Sequence, residues 1–69
     1  MAIVKVIEVI AESTKSWEDA TQQALKDAHK TVRNIQTIYI ENFQAVVEDD
    51  QQTLVFRVNA KISFIVEDT

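Results

Sequence analysis

The chain has 69 residues, 46% hydrophobic and 26% charged, with a net charge of −4 and no cysteine, glycine or proline. This composition describes a single folded domain over residues 1–69. The acidic balance speaks against a nucleic-acid surface. The missing cysteines exclude disulfides and thiolate metal sites, and the missing glycines exclude phosphate-cradling loops. No stretch approaches the roughly 20 apolar residues of a membrane span, and the first residues lack the regions of a signal peptide. A cytoplasmic protein that engages neither membrane nor nucleic acid is the expectation. Domains this small bury only about 60% of their surface. With disulfides excluded, oligomerisation is the support that remains.

Residues 3–10, Ile-Val-Lys-Val-Ile-Glu-Val-Ile, are β-branched and nearly continuous, which predicts a first strand. Ala11 to Ser16 reads as a polar connecting loop. Ser16 suits an N-cap, with Glu18 and Asp19 in the first turn, and Asp19 stands where a capping box carries its acid. A helix follows from about Trp17 to Arg33. Its apolar positions Trp17, Ala20, Ala24, Leu25, Ala28 and Val32 share one face. Asn34 tolerates the left-handed conformation that ends helices.

A second strand spans Ile35 to Val47. Its apolar residues change parity between Ile38, Ile40 and Phe43, Ala45, Val47, which predicts a β-bulge near Glu41-Asn42. Glu48 to Gln52 is a polar hairpin turn. In the third strand every second residue from Leu54 to Val66 is apolar, the mark of a strand with one face on a core. Thirteen residues extend roughly 40 Å, longer than the body of so small a domain. Glu67-Asp68-Thr69 is a short acidic tail. The fold class is therefore α+β, in the order β-α-β-β, with a three-stranded antiparallel sheet wrapped around one helix. One sheet face, carrying Tyr39, Val55 and Ile65 beside Arg57, Asn59 and Lys61, has no helix to cover it. Self-association is the first functional implication.

No side chains are spaced for catalysis. His29 is the single histidine and reads as a surface or interface residue on the helix flank, without a nucleophile or acid arranged around it. The chain is expected not to be an enzyme. Glu48, Asp49 and Asp50 offer oxygen ligands of the kind Ca²⁺ prefers, although the spacing is not that of an EF-hand loop; a solvated hairpin tip is the plainer reading. Trp17 lies on the helix's apolar stripe and reads as a core or interface anchor. Tyr39 and Phe43 read as packing residues. Arg57, facing away from the core, suits a cross-strand ion pair with Glu41 or Glu8, or an anionic ligand such as a phosphate.

The ordered set Val-Lys-Val-Ile-Glu-Val, Ser-Trp-Glu-Asp-Ala at 16–20, Ala-X-Lys-Thr-Val-Arg-Asn-Ile at 28–35 and Phe-Arg-Val-Asn-Ala-Lys-Ile-Ser-Phe-X-Val-Glu at 56–67 resembles the dodecins. The resemblance covers nearly the whole chain. It implies a homo-dodecameric hollow shell of tetrahedral symmetry, with a storage or buffering role for a small ligand. That ligand is a flavin (FMN or riboflavin), or Ca²⁺ in the calcium-type members. The flavin-binding positions it implies fall on Thr37, Gln44 and Arg57. Flavin-binding members usually carry tryptophan where this chain has Thr37, glutamine where it has Arg57, and Arg-Gly where it has Gln44-Ala45. Threonine has no π face to stack on a flavin ring, so the flavin site is expected to be degenerate.

Overall fold

The computed structural model describes residues 2–67. Four elements follow in the order β1 (Ala2–Ser13), α1 (Trp17–Ala28), β2 (Ile35–Val47) and β3 (Leu54–Glu67). The three strands form one antiparallel sheet in the order β1-β3-β2. The strongly alternating strand therefore lies at the centre, where both edges are hydrogen-bonded. Strands β1 and β2 run in the same direction on either side of it, joined by the helix in a split crossover.

Strand β1 is longer than its apolar run. Ala11, Glu12 and Ser13, expected in a loop, pair with Val58, Arg57 and Phe56. The Ser13 hydroxyl donates to Asp19 Oδ2 at 2.5 Å and accepts from the Lys15 amide at 2.9 Å, which closes the turn into the helix. Ser16 is the N-cap, accepting from the Asp19 amide. The capping box is only half formed, because the Asp19 carboxylate turns to Ser13.

The helix ends at Ala28, five residues before Arg33. His29 caps it. The amides of Lys30 and Thr31 then bond three residues back, to Asp27 and Ala28, which tightens the chain into turns. Asn34 takes a positive φ of 60° and reverses the chain into β2. The Val32 amide still bonds four residues back to the Ala28 carbonyl at 2.8 Å, so the apolar spacing of Ala28 and Val32 runs on through these turns beyond the regular helix.

The bulge in β2 is where parity predicted it. Ile40 pairs with Ala60 and Asn42 with Asn59, so Glu41 is the extra residue; a second shift lies between Ile35 and Thr37. The bulge keeps Ile38, Ile40, Phe43, Ala45 and Val47 on the helix side of one bent strand. Among the described residues Ala20, Ala24, Val58, Ala60 and Ile62 are the buried apolar ones. The small side chains on α1 let it lie close over β3. Trp17 fixes its N-terminal end, with its ring edge-on to Phe43 (5.9 Å) and Phe56 (4.9 Å) and its indole N–H donating to the Gln44 carbonyl at 2.9 Å.

The β2–β3 turn is organised by Asp50. Its carboxylate accepts from the amides of Gln52 and Thr53 and from the Thr53 hydroxyl, an Asx-type turn that replaces glycine chemistry. Gln51 carries the positive φ of 60° that the reversal needs. The Thr53 hydroxyl, then the two amides, hold the Asp50 carboxyl below the ordinary aspartate value of 3.8. A depressed folded-state pKa stabilises the fold above the unfolded value, and that contribution is lost as pH falls through the folded value. NMR titration of the Asp50 side chain should give a midpoint below 3.8, rising in Thr53→Ala; a midpoint at or above that value in the native chain would refute the turn's bonding.

The molecule measures 53 × 20 × 16 Å with a radius of gyration of 14.2 Å, against roughly 11 Å for a compact chain of this length. Its accessible surface is 5278 Å², where a monomer of this mass averages about 4400 Å². The excess belongs to the hairpin end that projects past the helix, where Val47 and Leu54 are exposed, and to the uncovered sheet face.

Candidate binding face

The far face of the sheet is defined by register. It carries Val4, Val6, Glu8, Ile10 and Glu12 from β1, Val55 to Ile65 at odd positions from β3, and Thr37, Tyr39, Asn42, Gln44 and Val46 from β2. Every cross-strand side-chain bond on this face fits that assignment. Arg57 pairs with Glu12, Nη2 at 2.7 Å and Nε at 2.8 Å from the same carboxylate oxygen. Lys61 lies 2.9 Å from Glu41 and 3.8 Å from Glu8. Gln44 Nε2 donates to Asn59 Oδ1 at 2.8 Å, and the hydroxyls of Thr37 and Ser63 bond to each other.

The ion pair expected of Arg57 forms, but with Glu12 rather than Glu8 or Glu41. Those two carboxylates flank Lys61 instead. The hydrogen bond and charge of Glu41, then the charge of Glu8, raise the Lys61 pKa against its desolvation. Because Glu41 is the bulged residue, the bulge is what brings its carboxylate over Lys61. Beside it a cleft of about 270 Å³ opens, lined in part by Glu8, Glu41, Asn42 and Asn59. Around this polar centre stand exposed apolar side chains: Val4, Val6, Ile10 and Tyr39, the last 65% accessible.

Thr37, Gln44 and Arg57 are not gathered into one site within the chain. Gln44 and Arg57 are cross-strand partners, while Thr37 lies roughly 20 Å up the strand. Each is already engaged, with Ser63, Asn59 and Glu12 respectively. These residues do not fit a flavin as they stand: the first has no ring, and the other two are turned to Asn59 and Glu12. Tyr39, two residues from Thr37 on the same face, is the one aromatic side chain among the described residues there.

Calcium finds no preformed cage among the described residues of one chain either. Among the described residues no three His, Cys, Asp or Glu side chains gather as a metal site. At the hairpin tip both Asp50 oxygens serve the turn, leaving Glu48 and Asp49, short of the 6–8 oxygens that Ca²⁺ takes. Asp68 of the acidic tail lies outside the described residues. His29 is exposed at the helix end. Among the described residues no helix is long and apolar enough to cross a membrane.

The sequence matches the family model Dodecin over residues 3–67. It is 34% identical over 65 residues to the protein named calcium dodecin of Mycobacterium tuberculosis, covering 93% of this chain and 89% of that one. The fold superimposes on a crystal structure of the T. thermophilus dodecin with a TM-score of 0.89 over the full length of both chains, at 23% identity. A crystal structure of the calcium-chelating antigen calcium dodecin from M. tuberculosis gives 0.85 at 25% identity, over 97% of this chain and 94% of that one.

Proposed function

The chain belongs to the dodecin family, and from that premise we propose that it is a non-enzymatic shell protein, twelve copies closing by burying the far sheet face between them. The observation that carries this reading is the face itself: exposed Val4, Val6, Ile10 and Tyr39 surround a band of already paired charges. Paired charges bury at lower cost than free ones. Apolar side chains at such exposure mark interaction surfaces. The rod shape and surplus surface argue in the same direction.

The shell's cargo is a small ligand held between copies, and the residues favour an ion over a flavin. Identity of 34% to a protein named calcium dodecin supports the ion, which would take its oxygen ligands from more than one copy. Thr37 in place of an aromatic ring weighs against the flavin.

A native mass spectrum of protein purified without added ligand tests both parts. Twelve chains are the expected mass, with any excess in steps of bound calcium and abolished by chelator. A monomer or dimer at micromolar concentration would overturn the shell. A flavin-sized excess with yellow colour would overturn the choice of cargo.

A further inference from the structure

We propose that the acidic tip of the β2–β3 hairpin of one copy docks into the groove at the helix end of a second copy; this rests on the shell reading and specifies one of its contacts. The groove, of about 500 Å³, lies between α1 and the start of β2 and is lined by Gln22, Leu25, Lys26, His29, Asn34 and Ile35. Its floor is apolar: Leu25 is 41% exposed although it belongs to the helix's apolar stripe. Its rim is basic. Among the described residues Lys26 makes no ion pair, whereas Lys30 beside it is matched by Asp27.

The hairpin end offers the complement. Val47 and Leu54 are cross-strand partners on the helix side of the sheet, beyond Trp17 and its contacts with Phe43 and Phe56. They are 54% and 42% exposed. Glu48 and Asp49 follow them directly, exposed and without an ion pair among the described residues. An apolar pair bordered by two carboxylates thus matches an apolar floor bordered by Lys26 and His29.

The contact cannot form within one chain. The groove adjoins Ile35, which pairs with Phe64, and the tip follows Val47, which pairs with Leu54. These registers are opposite ends of a strand roughly 40 Å long. Each copy therefore carries one tip and one groove, so two copies can exchange tips reciprocally across a two-fold, or three can pass them head to tail around a three-fold.

Charge exchange tests this. Glu48→Lys with Asp49→Lys is expected to convert most of the twelve-chain species into smaller ones at low ionic strength. Adding Lys26→Glu and His29→Glu in the same chain is expected to restore the twelve-chain mass, since tip and groove are again opposite in sign. Circular dichroism melting of each variant shows whether it is folded. A folded tip-reversed variant that assembles like the native chain would overturn the contact while leaving the shell standing. So would a folded four-fold variant that assembles no better than the tip-reversed one. A native chain that does not assemble would overturn both.

Discussion

Ile62→Ala is expected to leave a chain that barely folds. Ile62 is fully buried at the middle of the central strand, between Ile7 of β1 and Ile38 of β2, under the alanine face of α1. Truncating a buried isoleucine costs about 2–5 kcal/mol, because the neighbours do not collapse into the space. A domain of this length has roughly 3–10 kcal/mol in all. The core has little to spare, since three of the five buried apolar side chains among the described residues are alanine. Ile62→Val removes one methyl group at the same place and should cost about 0.5–1.5 kcal/mol. Urea unfolding at several protein concentrations separates this loss from the assembly contribution, which varies with concentration. A loss below about 1 kcal/mol for the alanine variant would mean that Ile62 is not the centre of the core.

The second expected result is a gain. Thr37→Trp with Arg57→Gln should create or strengthen flavin binding. The tryptophan supplies the ring face, and the glutamine replaces a guanidinium that Glu12 now holds at 2.7 Å. Loss of that ion pair is tolerable, because both side chains are partly exposed and such pairs contribute about 0–1 kcal/mol. Stacking alone is worth about 0.5–1.5 kcal/mol beyond area burial, so affinity should tighten by about two- to twelve-fold from this term. Riboflavin fluorescence should stay nearly constant on titration with the native protein and be quenched by the variant. Unchanged fluorescence with a variant that assembles normally would reject Thr37 and Arg57 as the flavin positions.

What was legible in the sequence follows from the range of the interactions involved. The parity change between Ile40 and Phe43 located the bulge, because parity is local. Ser16 was readable as a cap for the same reason. The end of the helix was not, since Ala28 and Val32 keep a helical spacing while the hydrogen bonds change type at Lys30 and Thr31. The partner of Arg57 was not legible either. Glu12 lies beyond the apolar run that marked the strand, and only pairing with β3 extends β1 to Ser13 and sets Glu12 opposite Arg57. That register depends on residues more than forty positions apart, for which parity is silent. The Lys61–Glu41–Glu8 cluster was missed for the same reason, although the bulge at Glu41 was its one local sign.

The sheet order β1-β3-β2 has a consequence for the order of synthesis. Strand β1 is made first, and its hydrogen-bonding partner β3 is made last: Ala2 pairs with Glu67 and Ser13 with Phe56. Loops that long close late, and non-local strand pairing is slow. While the helix and β2 are being built, the run from Ile3 to Ile10 has no β3 to pair with. Such a run, rich in β-branched residues and free of proline, is what neighbouring nascent chains would capture. Lys5 and Glu8 interrupt it with charge at two points. The residues of β3 are thus the ones that make those of β1 safe.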